Sequence, residues 1–464
     1  MTDATGAPPS ERRIIAKLSW RILPLIFLSY LVAVLDRANI SYASVQMNAS
    51  LGFSAAVYGF GAGVFFVGYS LFEIPSNLMM VRFGARRWIA RIMLTWGVIS
   101  GLMAFVQTPA QFYVMRFLLG VAEAGFYPGV MLYLSQWFPS AWLCRAVSRF
   151  YIANPISFLM MGSIAGLLMS LDGALGVAGW QWMLLVEAIP AVIIAALLLM
   201  LLPDRIETVA WLSAAEKDWL LHHHAADHAA SGAVQHDFWR TLRSPVVLGI
   251  SLTCAMTYVC ANAVTYSAPK LLMQATGWSL GAVGFASALM NVPVVLAMLA
   301  VCWHSDLRRA PHLHIAAMLA ISALGAVGMA GAFHAGAGQA IAAMLAAYCL
   351  FNTFSSVVGT LAFPAANSAL HPANRAVAFA AINTISQVGN FLGPVLWGFA
   401  ASATGSFQLA LNVIPIVLIA PLGLILAMRR GRTQSERASA GTAPTCEHIP
   451  MPRGEGPGFQ GADG

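Results

Sequence analysis

The chain has 464 residues, of which 59% are hydrophobic and 9% are charged, and its formal net charge at pH 7 is +7. About a quarter of the residues in an ordinary soluble domain are charged, so this composition excludes a soluble protein and indicates an integral membrane protein. Arginines that face anionic lipid headgroups account for the basic excess, because no basic patch interleaved with aromatic residues indicates nucleic acid as a partner.

Apolar runs of about 20 residues recur along the chain, and each is long enough to cross a hydrocarbon core of about 30 Å as a helix. The opening segment, MTDATGAPPSER, lacks the apolar core of a signal peptide, so we expect the first span to remain in the mature protein. We predict twelve spans, at residues 20–45, 55–80, 88–107, 112–135, 145–170, 180–202, 245–272, 279–303, 312–334, 338–362, 376–400 and 407–428.

Lys and Arg residues collect on alternate connections between these spans, whereas opposite connections such as MNASLGFS carry none. Basic connections stay on the cytoplasmic side of a membrane. We therefore predict a multi-pass protein of a bacterial inner (plasma) membrane with both termini in the cytoplasm.

One long polar connection divides the chain into two six-helix halves. The repeat of RAVSRFYI at Arg145 and RAVAFAAI at Arg375, which open the fifth and eleventh spans, supports this division. Tandem halves of this kind are typical of transporters with a site between the halves. We predict a cytoplasmic N-terminal segment at 1–19 and six-helix halves at 20–202 and 245–428. A cytoplasmic linker at 203–244 joins the halves, and a disordered cytoplasmic tail follows at 429–464.

Metal and cofactor sites are not indicated. The cysteines lack metal-ligand spacing, and we favour a flexible, solvated linker over a metal site for the five histidines of HHHAADHAASGAVQH. We also find no metal-binding HExxH pair, no phosphate-binding loop and no nucleophile with a base, so we predict that the protein is not an enzyme.

Charged side chains inside the predicted spans each need a reason, since a charge at bilayer depth costs roughly 2.5 to 3.5 kcal/mol even on a mild scale. Apart from Lys270, they all belong to the N-terminal half. They are Asp36, Arg37, Glu73, Arg91, Arg116, Glu123 and Glu187.

Depth in the membrane separates these charges into two groups. Asp36, Arg37 and Glu123 fall near the midplane, and Arg116 lies two turns from Glu123 on the same helical face, so we assign these four a function. Glu73 and Arg91 lie toward the cytoplasmic ends of their spans, and we predict a structural ion pair between them. We also expect Glu187, which is close to Pro190, to be structural.

The midplane group can couple an anion to protons. An arginine in a low-dielectric cavity binds an organic carboxylate through its planar fork. A carboxylate removed from water binds a proton more readily, so Asp36 and Glu123 are candidate proton carriers. We expect protonation of Asp36 to free its neighbour Arg37, which an incoming carboxylate then occupies.

Longer motifs extend these observations. LDRANISYA, GYSLFEIPSN, VRFGARRWIARIM and RFLLGVAEAGFYPG occupy the first four spans, and GWQWMLLVEAIPAV and INTISQVGNFLGP occupy the sixth and eleventh. In these segments the chain resembles the major facilitator superfamily, specifically its anion:cation symporter family, over residues 17–428. It looks most like the bacterial permeases for tartrate, phthalate and 4-hydroxyphenylacetate.

The resemblance implies an all-α membrane protein with twelve transmembrane helices in two six-helix halves, which works by alternating access. It implies that Asp36 and Glu123 carry protons, that Arg37 binds the substrate anion and that Arg116 is the partner of Glu123. It also implies that Tyr69 and Asn383 are polar residues of the cavity, and that two cytoplasmic loops latch the gate. The loop residues are Arg82, Arg86, Arg87 and Asp306.

Helical spacing adds three candidate substrate contacts in the seventh span, because Tyr258, Asn262 and Tyr266 are spaced by four along one face. Hydrogen bonding between helices is an equally good explanation for each of them. The chain also departs from the family pattern in the gate loops and in the aromatic residues of the cavity. These departures put the strength of the gate and the identity of the substrate in question. They are Val81, Ala310, Pro311, His312, Ser267 and Leu361.

We therefore predict proton-coupled uptake of a small organic anion, an aromatic or hydroxy carboxylate, with at least two protons for a monoanion. The expected partners are the anion, protons and lipid, and a monomer is the default assembly. An anion exchanger could use the same Arg37 without a proton gradient. A membrane receptor that signals through the linker is a further alternative.

Overall fold

The computed structural model describes residues 11–231, 238–308, 310–370 and 375–441, and nearly all of this backbone is helical. This confirms the predicted all-α class. The helices are α1 (Glu11–Leu51), α2 (Ala55–Phe83), α3 (Ala85–Leu102), α4 (Pro109–Glu123), α5 (Phe126–Trp137), α6 (Ser140–Tyr151), α7 (Ala153–Met169), α8 (Gly179–Leu201), α9 (Ala214–Ser231), α10 (Phe238–Leu242), α11 (Pro245–Thr276), α12 (Leu280–Arg308), α13 (Pro311–His334), α14 (Ile341–Ala369), α15 (Arg375–Thr404) and α16 (Gln408–Gly441).

Eleven segments in the described ranges are long and apolar enough to cross a membrane, and two of these combine consecutive helices, α4 with α5 and α6 with α7. The remaining predicted span corresponds to α15, which is 30 residues long. Its length suffices for a crossing of about 30 Å. Polar residues such as Gln387 and Asn390 lower its hydropathy, as expected for a helix packed among other helices.

Local sequence signals set several helix ends. Thr108 and Gln111 form a reciprocal capping box at the start of α4, and Pro109 occupies the first turn, where its missing N–H costs nothing. Ser54 caps α2 by accepting a hydrogen bond from the Val57 N–H at 3.2 Å. Gly84, at φ +87°, makes the abrupt turn from α2 into α3.

Buried apolar side chains form two clusters, one drawn almost entirely from residues 14–220 and one from residues 247–425. Helices of the two groups meet where α2 packs on α15 and α7 packs on α12. Glycines allow the backbones to touch there: a Cβ added to Gly162 would lie 2.1 Å from the Gly284 oxygen, and one on Gly59 would lie 2.2 Å from the Pro394 oxygen. These contacts lie toward one end of the bundle, opposite the end that carries the arginine-rich connections, which we call the basic end.

The connection between α8 and α11 begins with a docked segment at the basic end. Lys17 of α1 donates a 2.5 Å hydrogen bond to Glu216 of α9, and the Ser213 N–H donates to the same carboxylate at 2.9 Å. Burial opposes ionisation of Glu216, but Lys17 and Ser213 outweigh it and lower the pKa of this carboxyl. The start of the predicted linker is thus held against the first helix by charge.

The predicted start of the tail differs from the structure, and parts of the predicted terminal segments and linker lie outside the described residues. Helix α16 continues to Gly441, past the predicted start of the disordered tail at 429, because RRGRTQSERASA contains good helix formers. Residues 1–10, 232–237 and 442–464, which include His236 of the linker and most of the predicted tail, lie outside the described residues.

Gly120 offers a test of the close packing between α2 and α4, because a Cβ at this position would lie 2.0 Å from the Phe65 oxygen. We expect Gly120→Ala to lower the thermal unfolding midpoint in detergent, at a cost of about 1–3 kcal/mol from overpacking. Gly331→Ala in α13 is the matched control, since no heavy atom lies within 4 Å of its added Cβ. The control should be neutral or more stable by up to about 1 kcal/mol, and equal midpoints for the two variants would contradict this packing.

Candidate functional site

Asp36 and Arg37 lie in the middle of α1 and point to different neighbours. Consecutive residues of an α-helix are rotated by about 100° around its axis, so adjacent side chains cannot share a partner easily. Arg37 contacts Glu123 of α4, whereas Asp36 accepts hydrogen bonds from Ser100 of α3 and from Asn39. The expectation that Asp36 neutralises Arg37 is therefore wrong, and Glu123 has that role.

The ion pair between Arg37 and Glu123 joins one partly exposed and one buried group. Arg37 Nε lies 2.8 Å from Glu123 Oε1, and the exposed fractions of the two side chains are 31% and 1%. The other Glu123 oxygen, Oε2, is buried without a hydrogen bond. The guanidinium can thus meet a solute while one carboxylate holds it from behind.

An interruption of the fourth span positions Glu123. Glu123 is the last residue of α4, and Gly125, at φ +83°, starts α5 in the left-handed conformation that favours glycine. A Cβ on Gly125 would lie 2.5 Å from Ser76 Oγ of α2. The sequence analysis did not anticipate this break, although its AEAGFYPG segment contains both the glycine and a proline that favour one.

Aromatic rings of α2 flank both arginines of the site. The Arg37 Cζ lies 5.2 Å from the centre of the Tyr69 ring, which is buried, and the Arg116 Cζ lies 4.9 Å from the Phe65 ring. Cations are attracted to ring faces at such distances, particularly where water is excluded. Tyr69 therefore lies beside Arg37 as the cavity prediction requires, and Phe65 is a neighbour of Arg116 that the sequence analysis missed.

Arg116 is fully buried and does not bond to Glu123. Its Nε donates to the Gly61 oxygen at 3.2 Å and its Nη2 to the Ala62 oxygen at 3.4 Å, both on α2. The expected pairing with Glu123 is therefore absent as a direct contact, because these donors of Arg116 point to the backbone of α2. The Arg116 charge still acts on Asp36 and Glu123 through space.

Polar residues of the C-terminal half contact α2 and each other. Asn262 of α11 donates to the Asn390 side chain at 2.5 Å, and Asn390 donates to Gln387 at 2.5 Å. Tyr266 is buried, packs edge-on against Phe66 of α2, and accepts a 2.7 Å hydrogen bond at its backbone oxygen from Tyr58. Tyr258 lies on α11 against Gly359. The structure thus brings Tyr266 to the charged half and gathers amides on the other side.

The predicted ion pair between Glu73 and Arg91 is wrong. Glu73 instead accepts a 3.1 Å hydrogen bond from Asn383 of α15, which joins the two halves. The Arg91 Cζ lies 3.9 Å from the Trp88 ring three residues earlier on the same helical face. Glu73 therefore contacts α15, whereas Arg91 stacks on a ring of its own helix, α3.

The predicted gate arginines differ in their contacts. Arg86 lies 3.5 Å from Asp204 and donates to the Leu202 oxygen at 3.4 Å, so it binds the start of the connection after α8. Arg82 stacks on Phe83, and Arg87 is exposed. Asp306 lies in α12, but its side chain falls outside the part of the chain that the structure describes.

Comparison with known proteins identifies the family. Residues 26–394 match the model of the Major Facilitator Superfamily. A protein of Agrobacterium vitis named "Putative tartrate transporter" is 41% identical, over 90% of this chain and 92% of its own length. The "Quinolone resistance transporter" of Acinetobacter baumannii is 34% identical, over 92% of this chain and 98% of its own length.

Solved structures agree on the fold. A bacterial homologue of the human lysosomal transporter Spinster matches with a TM-score of 0.72 at 14% identity, covering 88% of this chain and 96% of that one. The xylose transporter XylE from E. coli matches with a TM-score of 0.71 at 16% identity, covering 88% of this chain and 95% of that one. The chain is therefore a multi-pass membrane transporter of the Major Facilitator Superfamily and not an enzyme.

Proposed function

We propose that this chain takes up a small organic anion together with protons, by alternating access of its two halves. The observation that carries this proposal is the ion pair of a partly exposed Arg37 with a fully buried Glu123. A guanidinium on the surface of a low-dielectric cavity attracts carboxylates and can bind them bidentately. A buried acid behind it supplies the proton site.

Competition for one guanidinium couples the two ligands. While Glu123 is ionised, its carboxylate occupies Arg37 Nε. Protonation of Glu123 removes that negative charge and leaves the fork of Arg37 for the carboxylate of the substrate. Because a proton on Glu123 strengthens anion binding, an anion on Arg37 must strengthen proton binding by the same factor.

Asp36 is the second proton site in this proposal, and it acts at a distance from the anion. Its hydrogen bonds go to Ser100 and Asn39, away from Arg37. Its charge nevertheless acts on Glu123 through the protein interior, where screening by water is weak. Protonation of Asp36 therefore changes the field at the anion site without a direct contact.

A hydroxy carboxylate of the tartrate type is the substrate class that we favour. The charged half offers Arg37 for a carboxylate, and the facing half offers the amides of Asn262, Asn390 and Gln387. Amides both donate and accept hydrogen bonds, which suits the hydroxyl groups of such an acid. The name of the Agrobacterium vitis relative also refers to tartrate.

For the membrane we propose the bacterial inner membrane, with both termini in the cytoplasm and the protein as a monomer. The arginines of the basic end support this orientation, since basic connections stay on the cytoplasmic side. Glu216 and Lys17 then lie on the cytoplasmic surface.

Proton movement in reconstituted vesicles with a trapped pH dye tests the proposal. We expect tartrate, or another acid among phthalate, hydroxyphenylacetates and sugar acids, to acidify the vesicle interior. Asp36→Asn should lower the acidification per transported anion, because it removes one of the two proton sites. Anion exchange without acidification would favour an exchanger, and binding without any flux would favour a receptor.

Glu123→Gln tests the competition for Arg37, using the acid that wild-type protein transports. The variant should still exchange labelled substrate between the two sides of the membrane. It should lose uptake driven by a proton gradient, because no carboxylate at position 123 then competes with the substrate for Arg37. Binding by wild-type protein should weaken as the pH rises and ionises Glu123, whereas binding by the variant should depend less on pH. Full proton-driven accumulation by Glu123→Gln would contradict the mechanism.

Arg37→Gln tests the anion ligand itself. Hydrogen bonds to charged groups contribute about 1.5–3 kcal/mol, so we expect substrate affinity to fall by roughly 10- to 100-fold. Arg145→Gln is the control, since Arg145 is exposed and stacks on Trp142 at 4.5 Å. Equal affinities for the two variants in a binding titration would exclude Arg37 as the ligand.

A further inference from the structure

Asp36 faces a second acid on the side of α1 that is turned away from Arg37. Helices α3 and α8 pack closely there, because Gly97 and Gly101 of α3 have no side chain. A Cβ on Gly97 would lie 2.8 Å from the Ala191 Cβ, and one on Gly101 would lie 3.2 Å from the Ala188 Cβ. This close approach brings Ser100, which donates to Asp36, beside the part of α8 that carries Glu187.

Glu187 is buried, with an exposed fraction of 8%, and neither of its carboxylate oxygens accepts a hydrogen bond. A hydrogen-bond donor, Asn39, and a negative charge, that of Asp36, act on Glu187. Asn39 already donates to Asp36 at 3.2 Å. Asp36 thus has two donors that suit its ionised form, whereas Glu187 has only a share in Asn39 and no cation among the described residues.

In the part of the chain that the structure describes, the helices around Glu187 supply no positive charge to it. Of the helices packed against α8, α7 contains no charged residue, and the arginines of α3, Arg86, Arg87 and Arg91, lie toward the basic end. On α1 the charge that acts on Glu187 is that of Asp36. The positive charge of Arg116 acts on Asp36. Two neighbouring carboxylates in a low-dielectric interior do not both ionise, because each opposes the charge of the other.

We propose that Asp36 and Glu187 form one two-carboxyl proton site, in which Glu187 keeps a resident proton while Asp36 exchanges the coupled proton. The resident proton is independent of transport, whereas the exchange at Asp36 rests on the proposed function. The pair then carries a charge of at most −1, and it becomes neutral when Asp36 binds its proton. Glu187, which the sequence analysis took as structural, thereby acquires a role in proton binding.

Infrared spectroscopy of purified protein tests the resident proton without any substrate. A protonated carboxyl group has a carbonyl stretching band that an ionised carboxylate lacks, and a pH titration in sodium-free buffer follows it. We expect a band that persists at neutral pH in wild-type protein and is lost in Glu187→Gln. Glu216→Gln is the control and should leave the band unchanged, because Glu216 is ion-paired with Lys17.

Asp36→Asn tests whether the two acids act as a pair. Without the neighbouring negative charge, the pH at which the Glu187 band disappears should fall by at least about one unit. An unchanged pH would make Glu187 an isolated buried acid and would overturn the pairing. A band that is the same in Glu187→Gln and wild-type protein would overturn the resident proton.

Two further measurements make the test decisive. If Glu187→Gln does not fold, Glu187→Asp is the substitute, because it keeps an acid at this position. It should shift the frequency of the infrared band without removing it. An unshifted band would overturn the proposal. Loss of the wild-type band on addition of sodium at constant pH would identify a metal cation as the occupant and would also overturn it. Failure of the proposed function appears instead as absent proton influx in vesicles, while the infrared band remains.

Discussion

The scarcity of water inside the membrane is the constraint on which the rest of this structure depends. A charge there must be paired with another charge, bonded to polar groups or neutralised by a proton. Arg37 meets this constraint with Glu123, Arg116 with two backbone oxygens of α2, and Asp36 with Ser100. These three solutions differ in what they can bind, and among them the pair of Arg37 and Glu123 combines a partly exposed cation with a buried acid.

Close helix packing makes these pairings possible. Gly120 lets α4 approach Phe65 of α2, which aligns Arg116 with the carbonyl groups of that helix. Gly125 interrupts the same span two residues after Glu123. Gly101 allows α8 to pack closely against α3, the helix that carries Ser100. Small residues at helix contacts therefore determine which polar side chains meet, because long side chains at these positions would hold the helices apart.

The two halves contribute unequal chemistry to the region between them. Apart from Lys270, the intramembrane charges belong to the N-terminal half, and the other half carries the amides of Asn262, Asn390 and Asn383. Charged groups form strong hydrogen bonds with ions, and the carboxylates among them can also bind protons. Amides donate hydrogen bonds to hydroxyl groups and accept them without a change of charge. The contact of Asn383 with Glu73 and that of Tyr266 with Tyr58 join the two kinds of chemistry across the boundary.

The sequence by itself determined the membrane class, the approximate spans and the set of intramembrane charges, because hydropathy and charge are local properties that act wherever the residue lies. The depth of Asp36, Arg37 and Glu123 in the membrane predicts a function for them, and that function stays a prediction. Their partners could not be predicted in this way: Arg37 bonds to Glu123 and not to adjacent Asp36, Glu73 meets Asn383 and not Arg91, and Glu187 has no bonded partner. Those choices depend on helix rotation and on the break at Gly125, and only the packing of distant segments against one another decides such contacts.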